Sequence, residues 1–215
     1  MQILYGTTNA GKLAVMKRSL KSLPQIELVG LKQVEEKLSK EGKQLPHIEE
    51  TGNTPLENAR IKALAYYEAL KTPVFSCDTG LYFDGLPEEV QPGIHVRNVR
   101  GKCLTDEEMT EYYRSLAERY GDITARYKNA ICFVMDEAHI YESMDDSLSG
   151  EPFLLTAVPH PKRQEGFPLD CLSKNIATGK YYYDMGEFHQ DDVALNYGFY
   201  QFFRRILDFP LQPED

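Results

Sequence analysis

No Cys-x-x-Cys pair occurs in this chain. Its four cysteines, Cys77, Cys103, Cys132 and Cys171, are widely spread and show no zinc-type spacing with the five histidines. That argues against a zinc ribbon or a disulfide framework, so the cysteines read as reduced, mostly buried thiols. Long apolar runs are also missing, which leaves no candidate membrane span. The short run Ile3-Leu4-Tyr5 has no basic region before it and no long apolar segment after it, so no secretory signal is visible. Both absences favour the cytoplasm. Positive charge is scarce as well: 24 Lys and Arg stand against 33 Asp and Glu, a net charge of -9. Such a surface repels a polyanion over long distance, which argues against a nucleic-acid polymer as partner. A small phosphate-bearing ligand needs only a few locally placed cations. The chain has neither Gly-x-Gly-x-x-Gly nor a Walker P-loop, and no internal repeat or low-complexity segment.

What is present is ordinary for a globular protein: 42% hydrophobic and 27% charged residues over 215 positions, enough for one folding unit or two closely packed lobes. Residues 2–6 read as a strand, and Leu13, Met16, Leu20 and Leu23 recur at helical spacing until Pro24 closes the helix. A second strand is expected at Ile26 to Val29. The polar stretch that follows, to about Lys43, reads as a short helix or a mobile connection. Thr54 is a helix N-cap with Pro55 at the first helical position and Glu57 completing a capping box; Leu56, Ala59, Ala63, Tyr66 and Leu70 mark the buried face. A strand from Val74 to Cys77 is expected to end at Asp78-Thr79-Gly80. Thr105 and Glu108 form a second capping box, ahead of a stripe of Met109, Tyr112, Leu116 and Tyr120. A hairpin is predicted at 130–135 and 140–144, a further strand at 153–158, and a last helix over 193–209 with Phe199, Phe202, Phe203 and Ile206 on one face. The pattern predicts an α/β protein with a mixed sheet.

Three constellations carry chemistry. Thr8-Asn9-Ala10-Gly11-Lys12 fills the turn from the first strand into the first helix, where free N–H groups and the helix dipole favour an anion. The plainer reading is that Asn9 caps the helix and Lys12 is solvated. Glu49-Glu50-Thr51-Gly52 leads into the helix bearing Glu57, Asn58 and Lys62, and so brings carboxylates of the kind magnesium prefers to one helix N-terminus. Glu57 is equally accounted for as a capping residue. Asp78, at the expected strand end, is placed to bind metal and take a proton from water, although Asp-Thr-Gly is also an ordinary turn.

The order and spacing of these pieces resemble the inosine triphosphate pyrophosphatase family. Thr8-Asn9-Ala10-Gly11-Lys12, Glu50-Thr51-Gly52-Asn53-Thr54 with Glu57-Asn58-Ala59 and Lys62-Ala63, Asp78-Thr79-Gly80-Leu81, and Pro92-Gly93-Ile94 carry the likeness. It implies a magnesium-dependent hydrolase that cuts a nucleoside triphosphate, in this family inosine, deoxyinosine or xanthosine triphosphate, to monophosphate and pyrophosphate. It also implies an elongated mixed sheet flanked by helices, residues 1–215 as one domain with two lobes around a central cleft, and a homodimer. Asp78, Lys12 and Glu50 would be catalytic. Thr8, Asn9, Lys62, Thr79, Gly80, Phe167 and Asp170 would bind substrate, and Glu50, Asp78 and Glu57 would hold metal. The chain departs from the family pattern at Cys77, where members often have a second Asp. Gly166-Phe167-Pro168-Leu169-Asp170 only echoes the family's Gly-Phe-Gly-Tyr-Asp-Pro loop, and Leu195-Asn196-Tyr197 stands in place of its Ser-His-Arg triplet. Cys77 leaves one carboxylate missing, and the other two departures fall where the base would be read. They open a second expectation, the same chemistry on a different or pyrimidine triphosphate, and a third, a nucleotide-binding protein without turnover.

Overall fold

The computed structural model describes residues 1–186 and 193–207. Strand β1 (Gln2–Tyr5) is buried from Ile3 onward and runs parallel to both β2 (Glu27–Gly30) and β3 (Val74–Phe83). Parallel neighbours need crossovers. Helix α1 (Ala10–Ser19) supplies the first, and α2 (Leu31–Lys40) with α3 (Pro55–Leu70) supplies the second. After α4 (Asp106–Tyr120) come the long β6 (Ile123–Val134), β7 (Ile140–Ser143), β8 (Phe153–Leu155) and β9 (Ser173–Asn175), paired antiparallel as β6–β7, β6–β8 and β8–β9. The strand order is β2-β1-β3-β6-β8-β9, with β7 beside β6, so the sheet is mixed as expected. Two short strands, β4 (Asn98–Val99) and β5 (Lys102–Cys103), pair separately, and α5 (Val193–Leu207) is the last described helix.

The chain forms two compact units. The first holds Met1–Asp78, Asn129–Ser149 and the chain from Val193; the second holds Thr79–Lys128 and the chain from Gly150. In the first unit side chains alternate across the sheet. Tyr5 and Phe75 stack at 4.5 Å, Phe203 of α5 meets Phe75 edge-on at 5.0 Å, and Met16 and Leu20 from the α1 segment join this aromatic core. On the other face Leu4, Val74, Cys132 and Val134 pack against Ala59 and Ala63 of α3 and Leu31 of α2. The second unit has its own core, in which Leu81 and Phe83 meet Met109, Tyr113 and Leu116 of α4 together with Leu155 and Leu172.

Several expectations need correction. The strand expected to stop at Asp78 runs on to Phe83, because Leu81 and Phe83 have a core of their own to enter. Asp78-Thr79-Gly80 is therefore mid-strand rather than a strand-terminal turn. The hairpin strand expected from Ala130 begins at Ile123, and the strand expected over 153–158 ends at Leu155. In α4 the deeply buried ring is Tyr113, not Tyr112, and its hydroxyl donates to the Val96 carbonyl at 2.8 Å. The stretch after β2 is helical, although Leu31 is its only buried residue, and β9 carried too few apolar residues to be predicted. The last helix is seen to Leu207; the predicted extension to 209 lies outside the described residues.

Gly198 of α5 lies against the one-turn helix Asp146–Leu148, and a Cβ there would overlap the Ser147 carbonyl oxygen. Backbone cannot yield as a side chain does. Gly198→Ala is expected to destabilise the protein by about 1–3 kcal/mol through overpacking, read as a lower urea midpoint; an unchanged midpoint contradicts this packing.

Candidate active site

The turn after β1 is held closely. Gly6 donates its N–H to the Phe75 carbonyl at 2.8 Å, and a Cβ on Gly6 would collide with the Ser76 hydroxyl and the Tyr66 ring. That Ser76 hydroxyl is buried and has no hydrogen-bond partner among the described residues. Asn9 caps α1: its Oδ1 accepts the Lys12 N–H at 3.1 Å, and its own N–H is donated to Thr7 Oγ1 at 3.2 Å. The capping reading of Asn9 is thus realised. Thr8 and Lys12 are exposed beside it, and the first turn of α1 contains no acidic residue. The positive end of this helix dipole therefore has no carboxylate of its own and is open to an external anion.

Helix α3 presents Asn58 and Lys62, one turn apart, on the face toward Asp78 of β3. The Lys62 ammonium donates to Glu50 Oε2 at 2.8 Å and to Asp78 Oδ1 at 3.1 Å. Side-chain exposure is 13% for Lys62, 17% for Asp78 and 44% for Glu50, so two of the three are largely withdrawn from water. Burial alone would pull the Lys62 pKa down. The field of Asp78 and the hydrogen bond to Glu50 outweigh it, and the ammonium is held above its ordinary range. Glu57 is used differently. Its N–H is donated to Thr54 Oγ1 at 3.2 Å, but its carboxylate reaches past the cap residue to accept from the Asn53 N–H at 2.6 Å. Among the described residues no three of His, Cys, Asp and Glu cluster as a metal site. The converging carboxylates are the pair Glu50 and Asp78.

Cys77 faces the aromatic core, on the opposite side of β3 from Asp78. Burial pushes its thiol up to about 12, against a hydrogen bond with Tyr5 and the fields of Lys12 and Lys62. The thiol is therefore neutral at physiological pH.

Thr79, Gly80, Phe167 and Asp170 belong to the second unit. A Cβ on Gly80 would lie 3.0 Å from the Gly93 carbonyl oxygen and 2.8 Å from the Tyr82 ring, so the strand passes close to the Pro92-Gly93 loop. A pocket of about 220 Å³ is lined by Arg97, Tyr127, Phe167 and Asp170, among others. The 166–170 loop is tied to α4: Asp106 accepts from Arg97 at 2.8 Å and from the Gly166 N–H at 2.7 Å, and Thr110 donates to the Pro168 carbonyl at 3.0 Å. Phe167 is 53% exposed and free to meet a ring. Arg97 and Tyr127 were missed from sequence, since neither stands in a motif that marks it as a pocket residue. Tyr197 of α5 is exposed and stacks on Tyr200 at 5.9 Å; the side chains of Leu195 and Asn196 lie outside the described ones.

Comparison with known proteins matches the family model described as the Ham1 family to residues 3–179. The chain belongs to the Ham1 family. A dITP/XTP pyrophosphatase of Thermoanaerobacter pseudethanolicus is 30% identical over 185 residues, covering 82% of this chain and 84% of that protein. A dITP/XTP pyrophosphatase of Aquifex aeolicus is 39% identical over a shorter 95-residue stretch, 44% of this chain and 40% of the relative's length. The fold matches that of a HAM1 protein from Coxiella burnetii with a TM-score of 0.73, over 96% of this chain and 98% of that one, at 22% identity. Like the sequence, the described residues contain no helix long and apolar enough to cross a membrane.

Burial raises the Asp170 carboxyl above its ordinary pKa. An acid whose folded pKa is raised is ionised more readily in the unfolded chain, so its charge lowers stability increasingly as pH rises above about 3.9. Asp170→Asn is expected to raise the melting temperature at pH 7 relative to the parent protein, with the gap closing toward pH 4. An equal gap at both pH values contradicts the burial argument.

Proposed function

We propose that this Ham1-family chain is a hydrolase of nucleoside triphosphates that cuts between the α and β phosphates, releasing a nucleoside monophosphate and pyrophosphate. The observation that carries the reading is the meeting of Glu50 and Asp78 on one cationic nitrogen, that of Lys62. A seat already shaped around positive charge, with hard oxygen donors from two carboxylates, fits a magnesium ion that completes its shell with water and substrate phosphate. Glu50 and Asp78 would hold that ion, and Glu57, whose Oε2 accepts from Asn53, would have its other oxygen to offer. When bound, the ion supplies Lewis-acid polarisation of phosphate oxygens and offsets the charge that builds on the leaving pyrophosphate.

The chain's own groups do the rest. Lys12, Thr8, Asn9 and the open N–H groups of α1 bind the polyphosphate, where no acidic residue competes. Lys62 donates from its ammonium to a phosphate oxygen. Asp78 accepts the proton of a water lined up with the scissile bond. Thr79, Gly80, Phe167 and Asp170, which the family resemblance assigns to substrate, belong to the second unit, whose pocket offers the Phe167 ring for stacking and the Asp170 carboxylate as an acceptor.

The names of the relatives favour deoxyinosine and xanthosine triphosphates as substrates, and the resemblance to the inosine triphosphate pyrophosphatase family adds inosine triphosphate. One sequence observation favours a second reading in which the base differs: Leu195-Asn196-Tyr197 offers no His or Arg where the family reads the purine. A panel of purine and pyrimidine triphosphates with magnesium, scored for pyrophosphate and for phosphate, separates the two. Thermal stabilisation by nucleotide without pyrophosphate release identifies a binding protein instead. The family reading also carries a homodimer, which light scattering of the purified chain tests.

Asp78→Asn is expected to lower kcat by about 100-fold or more, the usual worth of a general base, while Lys12→Ala raises KM for the triphosphate. Pyrophosphate release by Asp78→Asn at the parent rate overturns the assignment.

A further inference from the structure

We infer that Asn58 is a positioning residue, whose buried carboxamide fixes the Asp78 carboxylate to the turn that follows Glu50. The inference rests on the active-site reading of Asp78 given above. Asn58 is 3% exposed in the first turn of α3, among positions where Ala59 and Ala63 make the packing face. Asparagine is a weak helix former, and burying its amide is costly unless both ends are hydrogen-bonded. A residue chosen for packing alone would be another alanine.

Both ends are used. Asn58 Oδ1 accepts the Gly52 N–H at 2.8 Å, and Asn58 Nδ2 donates to Asp78 Oδ2 at 3.3 Å. The partners also fix which end is which, since a backbone N–H requires an oxygen and a carboxylate requires a donor. Asp78 is thereby gripped at both oxygens, Oδ1 by Lys62 and Oδ2 by Asn58. The two grips differ in kind. Lys62 carries a charge on a long side chain that substrate phosphate would compete for, whereas Asn58 is neutral and short. When Lys62 turns to a phosphate, Asn58 still sets the plane of the carboxylate without neutralising it. At 3.3 Å its bond is long, so its contribution is to aim Asp78 more than to bind it.

The other end of the latch needs Gly52. A Cβ there would stand 2.6 Å from the Glu57 Cβ, 2.7 Å from Asn58 Oδ1 and 3.0 Å from the Asn58 nitrogen. The turn two residues after Glu50 can approach α3 only because residue 52 has no side chain. One amide thus joins the carriers of both metal-facing carboxylates, the Glu50 loop and strand β3.

The test uses the full-length chain with Asn58→Leu, Asn58→Asp, Gly52→Ala and the Asn58→Leu/Gly52→Ala double variant. Each is measured for melting temperature, for Mn2+ affinity by calorimetry without nucleotide, and for kcat and KM on the best triphosphate. Asn58→Asp keeps the acceptor for Gly52 and the volume but turns an oxygen toward Asp78, so it should lower kcat with KM little changed. Asn58→Leu and Gly52→Ala should each cost about 10–100-fold in Mn2+ affinity or kcat, the range for groups that orient a metal ligand. The double variant should be no worse than the poorer single one, because both cut the same link. Folded Asn58→Leu and Gly52→Ala proteins with parental kcat and Mn2+ affinity overturn the inference, as does a loss confined to melting temperature. A parent protein that binds Mn2+ but releases no pyrophosphate sinks the functional reading instead, and the affinities then decide the latch alone. A parent that does neither overturns both.

Discussion

Two charged carboxylates that meet in a partly buried seat repel one another unless something positive stands between them, and in this fold that role falls to the Lys62 ammonium. Around it the local structure follows. Lys62 must emerge from α3 one turn beyond Asn58, α3 must lie close to β3, and the alanines at 59 and 63 allow that approach. The Glu50 loop must fold back over the helix start, which the bare Gly52 and the Asn58 amide permit. Thr54 and Pro55 fix where α3 begins, and so decide which residues face the strand.

Electrostatics divides the first unit into a region prepared for cations and a region prepared for anions. Glu50 and Asp78 form the first, and the acid-free N-terminus of α1 with exposed Thr8 and Lys12 forms the second. A molecule that carries its own divalent ion along a chain of phosphates satisfies both at once. The overall charge of -9 is no obstacle, because the cations that matter are few and local.

Much of this was legible in the sequence because helix starts leave chemical signatures. Thr54-Pro55 and Thr105 with Glu108 placed α3 and α4, while a short apolar run and a period-3.6 pattern placed β1 and α5. Strand length was less legible. Nothing local says that β3 should pass Asp78, since the reason is a second core that Leu81 and Phe83 enter far from their sequence neighbours. The roles of motif residues were harder still: the expected reciprocal cap at α3 became a contact between Glu57 and Asn53. Asn58 was visible as part of a motif, but its two partners are 6 and 20 residues away and only the folded chain reveals them. A polar amide set between helix positions 55 and 59, both of which turn inward, was the available signal.

The place of Cys77 changes what its departure from the family pattern means. Its side chain enters the aromatic core, where the Tyr5 hydroxyl bonds it, while Asp78 turns the other way toward α3. Reverting position 77 to aspartate would thus not rebuild a missing ligand beside Glu50; it would strand a charge against the Tyr5 ring.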